Sequence, residues 1–203
     1  MPLASARDSR ADVDTILESL STPAVTSKEL VLVLCVGLPG TGKSTFARRL
    51  AAETGAVVLE SDALRRSLFH APRHLPAESA RLFAALHAAT RRLIEGGRSV
   101  IVDATNLQER DRRPIYEIAD ETGARLVILR FDAPRKVVEA RLSGRSPGEA
   151  DLSVYNRLED TLQPPSREHW KIYTSDAGAT EAAFQGVVEA CRPTEAAGTG
   201  GRV

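Results

Sequence analysis

Short runs of apolar residues alternate along the chain with longer stretches in which apolar positions recur at helical spacing. The apolar runs are rich in Val, Ile and Leu, which is typical of strands that are buried on both faces. Five runs are present: VLVLCV (31–36), AVVLE (56–60), RSVIVD (98–103), RLVILRF (125–131) and the weaker WKIYTSD (170–176). Strands that alternate with helices predict an α/β fold with a parallel sheet covered on both faces.

The stretches between the runs predict helices over 43–53, 77–95, 107–122 and 134–142. Glycines follow the second and third of these stretches, and Pro134 stands at the expected first position of the last. Residues 30–191 are therefore predicted to form one domain. The preceding residues, 1–29, are interpreted as a tail. It contains a candidate short helix, with apolar residues at helical spacing. This segment is expected to dock on the domain or to be disordered, and the alternative is that it binds a partner. The polar, Gly-rich residues 192–203 are predicted to be a disordered tail.

Composition narrows the function classes. The 27 basic and 27 acidic residues balance, so no net charge attracts the chain to nucleic acid or anionic lipid. Two cysteines do not suggest a disulfide framework, the four histidines form no convincing metal set, and the first residues lack the apolar core of a signal peptide. The longest apolar run, residues 31–38, is too short to cross a bilayer. These features favour a cytoplasmic protein.

A phosphate-binding motif follows the first apolar run. Gly37, Gly42, Lys43 and Ser44 fit the pattern G-x-x-x-x-G-K-[ST] between a strand and a helix. Lys43 is expected to reach the β- and γ-phosphates of ATP, and the Ser44 hydroxyl is expected to ligate Mg²⁺. The predicted nucleotide-binding residues are the whole loop: Gly37, Leu38, Pro39, Gly40, Thr41, Gly42, Lys43, Ser44 and Thr45.

Two further strands end in residues suited to phosphoryl transfer. Asp62 follows the second strand and is a candidate general base, with Arg65 one helical turn later as a candidate ligand for an anionic group of the acceptor. The alternative is that Asp62 caps a helix. Asp103 ends the third strand and is a candidate second anchor for Mg²⁺. Asn106 is expected mainly to form a capping box with Glu109, with acceptor contact as its alternative.

The segment after the fourth strand carries candidate catalytic arginines. Arg141 and Arg145 are four residues apart, and Gly144 and the sequence SPG break the helix near them. A mobile lid over about 143–150 is therefore expected to bring both arginines over the triphosphate, where they stabilise its charge. The alternative is a solvated, charged helix. Trp170 and Tyr173 either pack in the core, which is preferred, or flank an adenine.

Together these motifs resemble the small P-loop kinases of the polynucleotide kinase-like group, a group similar to gluconate kinase, chloramphenicol phosphotransferase and zeta toxin. The resemblance covers about residues 31–165, through GLPGTGKST, SDALRRS, VDATNLQERDRR and EARLSGR. It implies a five-stranded P-loop NTPase sheet of order 2-3-1-4-5 between two helical layers, Asp62 as general base and Arg65 on the acceptor side. It also implies that Thr105 and Asn106 lie beside the acceptor and that Arg141 and Arg145 contact ATP phosphates.

The sequence therefore predicts a phosphotransferase that uses ATP and Mg²⁺ and acts on a hydroxyl group. A small-molecule hydroxyl is preferred over the 5′-hydroxyl end of a nucleic acid, since the chain shows no basic stripe and few aromatic residues. A rival of another class is a nucleotide-operated switch or ATPase without an acceptor. Members of such a family share the fold but use different acceptors, so the motifs predict the reaction better than the substrate.

Overall fold

The parallel sheet has five strands, and a computed structural model describes residues 6–20, 29–72, 75–143 and 152–193. The strands are β1 (Val31–Val36), β2 (Val57–Glu60), β3 (Val100–Asp103), β4 (Arg125–Asp132) and β5 (Trp170–Tyr173). Their order is β2-β3-β1-β4-β5, and every neighbouring pair is parallel. The predicted fold and strand order are confirmed. Because all strands run the same way, the loops that carry the site leave one edge of the sheet.

Eight α-helices flank the sheet in the described residues: α1 (Ala6–Ser19), α2 (Lys43–Thr54), α3 (Ser61–Leu68), α4 (Pro76–Glu95), α5 (Glu109–Thr122), α6 (Arg135–Leu142), α7 (Leu152–Leu158) and α8 (Ala177–Cys191). A 3₁₀ turn, Glu159–Thr161, follows α7. The predicted first residues of two helices were wrong. Helix α5 begins two residues late because Gln108 is its N-cap, and Pro134 precedes α6 because its ψ of 141° is extended rather than helical.

Alternate residues of β1 point to two separate apolar layers. Leu32, Leu34 and Val36 pack in the layer beneath α4 and α5, whereas Val33 and Cys35 pack in the layer beneath α2 and α8. Every residue of β1 is buried, which explains why the strand is apolar throughout rather than alternating. In the described residues no helix is both long enough and apolar enough to cross a membrane.

The helix that the N-terminal spacing allowed is present and packs against α3 and α4. Val13 and Ile16 of α1 are buried in the layer beneath α4. Asp12 is buried as well, and its two carboxylate oxygens accept hydrogen bonds of 2.7 Å from Nε and Nη2 of Arg81 on α4. This bidentate pair, with its carboxylate buried and the Arg81 side chain 43% exposed, helps to fix the position of α1 on the domain.

We expect Asp12→Ala to lower the free energy of unfolding by about 1–3 kcal/mol, because it deletes two charge-assisted hydrogen bonds to a buried carboxylate. The matched control is Asp14→Ala, which removes the pair of Asp14 with Arg92 on the same two helices. That pair is 47% and 58% exposed, so the control should change stability by less than about 1 kcal/mol. Urea denaturation measures both changes, and equal changes in the two variants would contradict the assignment.

The C-terminal strand β5 forms one edge of the sheet, and two of its aromatic residues are exposed. Trp170 is 39% exposed and Tyr173 is 52% exposed. The expectation that both pack in the core was wrong, because only Ile172 of β5 is buried. Trp170 instead covers Gly186 of α8, where an added Cβ would lie 2.9 Å from the indole ring.

Candidate active site

The phosphate-binding loop takes a conformation that requires glycine at two positions. Gly37 has a φ of 152°, and a Cβ there would lie 2.8 Å from the backbone oxygen of Phe131. Gly40 has a φ of 79°, and its Cβ would lie 2.9 Å from Cγ1 of Val138 on α6. Both the backbone angle and the close neighbours exclude a side chain at these positions. The loop is therefore held in one shape by β4 and α6 around it.

Lys43 folds back over this loop. Its Nζ donates a hydrogen bond of 2.8 Å to the backbone oxygen of Leu38, and the Thr41 hydroxyl donates one of 2.7 Å to the same oxygen. Lys43 is also the first residue of α2, so its charge adds to the positive potential of that helix N-terminus. Two sources of positive potential meet at the loop, which is the arrangement that binds phosphate.

Asp103 and Ser44 meet beside the loop. Asp103, the last residue of β3, is 3% exposed, and its carboxylate accepts a hydrogen bond from the Ser44 hydroxyl on α2. Burial raises the pKa of the Asp103 carboxyl above its ordinary value of 3.8, while the Ser44 hydrogen bond and the charge of Lys43 oppose that rise. Its Oδ2 is buried without a hydrogen-bond partner among the described residues. A buried carboxylate oxygen without a partner, next to a hydroxyl, fits the oxygen ligands that Mg²⁺ prefers.

We expect Asp103→Asn to stabilise the nucleotide-free protein at neutral pH. The folded-state pKa is raised, so ionisation of Asp103 destabilises the fold as the pH rises through that pKa, and an uncharged amide escapes this penalty. The gain should vanish below about pH 3.8, where the carboxyl is protonated in both states. The same variant should need about 10–100 times more Mg²⁺ for activity. A lower urea midpoint at pH 7, or an unchanged Mg²⁺ requirement, would contradict this role.

Asp62 lies at the same edge of the sheet, in the first turn of α3. It is half-buried and makes no hydrogen bond or ion pair with another residue in the described ranges. Its charge helps to raise the pKa of both Asp103 and Glu60, which shows that the three carboxylates are close. The alternative that Asp62 caps α3 is wrong, because Glu60 occupies the N-cap position. Among the residues that the structure describes, no side-chain partner accounts for the Asp62 carboxylate.

Arg65 lies one turn further along α3 and is 7% exposed. Its Nη2 donates a hydrogen bond of 3.1 Å to the Ser79 hydroxyl on α4, and its Nη1 lies 3.8 Å from Oε2 of Glu78. Its Nε and Nη1 are buried without hydrogen-bond partners among the described residues. A buried guanidinium with unused donors is suited to binding an anionic group.

The loop after β3 touches the phosphate loop through its backbone and through Asn106. The carbonyl oxygen of Thr105 accepts a hydrogen bond of 3.0 Å from the Gly37 amide, and Nδ2 of Asn106 donates one of 2.8 Å to the oxygen of Cys35. The predicted capping box of Asn106 with Glu109 was wrong, because Gln108 and Asp111 form the box instead. Contact of Thr105 and Asn106 with an acceptor stays a prediction.

A cavity of about 460 Å³ adjoins the phosphate loop on its α6 and α8 side. Its lining consists of Gly40, Gly42, Thr45, Phe46, Arg49, Arg141, Thr174 and Thr180. Arg141 donates hydrogen bonds to the hydroxyl and backbone oxygens of Thr174, both 2.8 Å, and to the oxygen of Gly40. Arg141 is thus bound to the phosphate loop rather than only solvated. Arg145 and residues 144–150 of the predicted lid lie outside the described residues, as do residues 194–203.

Sequence reasoning missed four residues of this lining: Phe46, Arg49, Thr174 and Thr180. Thr174 directly follows β5, a position at the carboxyl edge of the sheet that its place in the sequence could have indicated. Arg49 and Thr180 lie within helices, where their positions in the sequence do not indicate a site. Arg49 reaches the cavity wall while it is bound to Glu181 across α2 and α8, a contact that only the folded structure shows. Trp170 and Tyr173 do not line the cavity.

Comparison with known proteins assigns this chain to a family. A family model described as "AAA domain" (AAA_33) matches residues 32–165. The chain belongs to this AAA_33 family. The match includes the phosphate loop, both carboxylates and Arg141, and the resemblance to P-loop kinases is confirmed.

Two relatives and one solved structure are similar to this chain. An uncharacterized protein of Mycobacterium tuberculosis is 33% identical over 135 residues, or 61% of this chain, but this stretch spans only 27% of the relative. An L-seryl-tRNA(Sec) kinase of Methanococcus maripaludis is 25% identical over 156 residues, 74% of this chain and 60% of that protein. The Mycobacterium tuberculosis APS kinase CysC, solved with AMPPNP and APS, superposes with a TM-score of 0.59 at 22% identity over 80% of this chain and 98% of that one.

Proposed function

We propose that this AAA_33 protein is an ATP-dependent phosphotransferase that moves the γ-phosphate of ATP to a hydroxyl group of a small molecule. The observation that carries the proposal is the position of Asp62. This carboxylate lies close to Asp103 at the carboxyl edge of the sheet and has no hydrogen-bonded or ion-paired partner in the described residues. A nucleotide switch needs the phosphate loop and Asp103, but it has no use for a second carboxylate of this kind.

We propose roles for the other residues, and the contacts described above support them. Lys43 and the N-terminus of α2 bind the β- and γ-phosphates, and Arg141 lies over the nucleotide side of the loop. Asp62 accepts the proton of the acceptor hydroxyl as that oxygen attacks the γ-phosphorus, the bond from this phosphorus to the β–γ bridging oxygen breaks, and ADP leaves. Ser44 and Asp103 would hold Mg²⁺, which supplies neutralisation of phosphate charge when bound. We also propose that Arg145 completes the arginine pair over the triphosphate.

The acceptor side favours a small anionic molecule. Arg65 presents buried, unused donors one turn from Asp62, so an acceptor with an acidic group near its hydroxyl would be positioned for attack. Elsewhere, several exposed arginines are paired with carboxylates, for example Arg49 with Glu181, Arg91 with Glu121 and Arg167 with Asp120. Such pairing leaves less free positive surface for a nucleic-acid backbone.

The test is incubation of the full chain with γ-labelled ATP and Mg²⁺ against separate acceptors: sugars and sugar acids, nucleosides, antibiotics, and oligonucleotides with a 5′-hydroxyl. Label transferred to a small acidic alcohol supports the proposal. Label on oligonucleotide ends supports the nucleic-acid acceptor instead. Release of inorganic phosphate at the same rate with and without every acceptor would overturn the proposal in favour of an ATPase or switch.

A further inference from the structure

Arg112, on α5, is a charged residue with no place in the chemistry described above, yet it is completely buried. Its side chain is 0% exposed, and it is among the largest fully buried side chains of the described residues. Buried arginines are rare unless every donor is used, because removing the charge from water is costly. Its environment therefore indicates a specific role.

The guanidinium of Arg112 binds three backbone carbonyls and one carboxylate. Nη1 donates to the oxygens of Asn106 and Leu107 at 2.8 and 2.9 Å, and Nη2 donates to the oxygen of Pro164 at 3.1 Å. Nε and Nη2 also donate to Oε2 of Glu109 at 3.2 and 2.8 Å. Only the planar fork of arginine offers enough donors, in fixed directions, for this set.

The loop that Arg112 holds is strained. Asn106 has a φ of 46°, and it is the one non-glycine residue with a positive φ among those described. Such a conformation is unfavourable for a residue with a side chain and persists only where its surroundings impose it. On one side, Arg112 donates a hydrogen bond to the backbone carbonyl of Asn106. On the other, the side-chain amide of Asn106 donates a hydrogen bond to the backbone oxygen of Cys35.

The same loop connects two parts of the site. On one side, the oxygen of Thr105 accepts a hydrogen bond from the backbone amide of Gly37, the first residue of the phosphate loop. On the other side, the oxygen of Leu107 accepts a hydrogen bond of 2.9 Å from the backbone amide of Gln163. Oε1 of Gln163 accepts a hydrogen bond from the backbone amide of Glu109. The loop is thus fixed between the phosphate loop and the segment that follows α7.

From these contacts we infer that Arg112 is a positioning residue for phosphoryl transfer. It holds the loop 104–107 in its strained shape, and the loop in turn aligns the first residue of the phosphate loop with the acceptor side of the site. Arg112 binds the backbone oxygen of Asn106, but among the described residues it makes no hydrogen bond or ion pair with Asp62, Ser44 or Asp103. The inference rests on the proposed function for its kinetic consequence, whereas its structural consequence does not depend on that function.

Two variants on the same helix test the inference. Arg112→Lys keeps the charge but cannot reach all three carbonyls, and Arg113→Lys changes the next residue, which is 78% exposed, as the matched control. Hydrogen exchange should be at least tenfold faster in Arg112→Lys for peptides covering 36–41 and 104–109, with α8 unchanged. Exchange in Arg113→Lys should match the wild type. Unchanged exchange over 36–41 in Arg112→Lys would overturn the inference.

Kinetics separate positioning from a purely structural role. With the acceptor found for the wild type, kcat of Arg112→Lys should fall at least tenfold while KM for ATP stays within threefold, and added guanidinium should restore part of kcat in Arg112→Ala. An unchanged kcat per folded molecule with a lower melting temperature would show a purely structural role and overturn the inference. If Arg112→Lys does not fold, Glu109→Gln should show the same changes in hydrogen exchange and in kcat, but smaller. Hydrogen exchange and kcat equal to those of the wild type in Glu109→Gln would then overturn the inference.

If the wild type transfers phosphate to no acceptor, the proposed function fails, and the exchange measurement still decides the structural part of the inference.

Discussion

Asp62→Asn is expected to reduce phosphate transfer by about 10²–10⁴-fold, the range that a positioned general base contributes. The amide has nearly the same shape as the carboxylate but cannot accept the acceptor's proton. Nucleotide affinity should change by only a few-fold, because Asp62 lies at the start of α3 and outside the phosphate loop. Titration with a fluorescent ATP analogue and a transfer assay on the same preparation measure the two effects.

Glu60→Gln is the control for this variant. Glu60 is two residues away, carries the same charge and lies 3.7 Å from Arg48, so its removal alters the local electrostatics without removing the proposed base. Its transfer rate should stay within about tenfold of the wild type, well above that of Asp62→Asn. Equal losses in the two variants would show that the charge of the cluster, rather than proton transfer by Asp62, is what matters.

Lys43→Ala is expected to reduce transfer by about 10³-fold or more, because the lysine stabilises charge on the transferred phosphoryl group. The fold should survive. Lys43 is bound to the oxygen of Leu38 within its own loop, and water can replace it there once the side chain is gone. Circular dichroism and thermal unfolding test the fold, and single-turnover transfer tests the activity.

Lys136→Ala is the matched control, since Lys136 is an exposed lysine on α6. It should transfer phosphate at the wild-type rate. A soluble, folded Lys43→Ala protein with normal activity would remove the phosphate loop from the reaction.

The fold was largely predictable because the central strands β1 and β3 are buried along their whole length. Continuous apolar runs such as Val31–Val36 identify such strands without any knowledge of their neighbours. The edge strand β5 gave the weakest sequence signal because only Ile172 is buried in it. Predictions failed where tertiary contacts decide the outcome, as at Trp170, whose exposure depends on where α8 lies.

The candidate site divides in the same way. The phosphate loop is local, so its spacing alone locates it, and the carboxylates follow from the rule that parallel strands end at one edge. The cap of α5 was misplaced because Asn106 is drawn into a left-handed conformation by Arg112 and Cys35. Arg112 is unremarkable in the sequence, since its burial depends on the segment around Pro164, which is far away along the chain.

The most direct test of the account is a crystal structure of the full chain with Mg²⁺ and AMPPNP. We expect a carboxylate oxygen of Asp62 to lie within about 7 Å of the γ-phosphorus, close enough for one acceptor hydroxyl to bridge them. We also expect Ser44 and Asp103 to face the metal. An Asp62 carboxylate turned away from the γ-phosphate, or too distant for a single hydroxyl to bridge, would contradict phosphate transfer by this site.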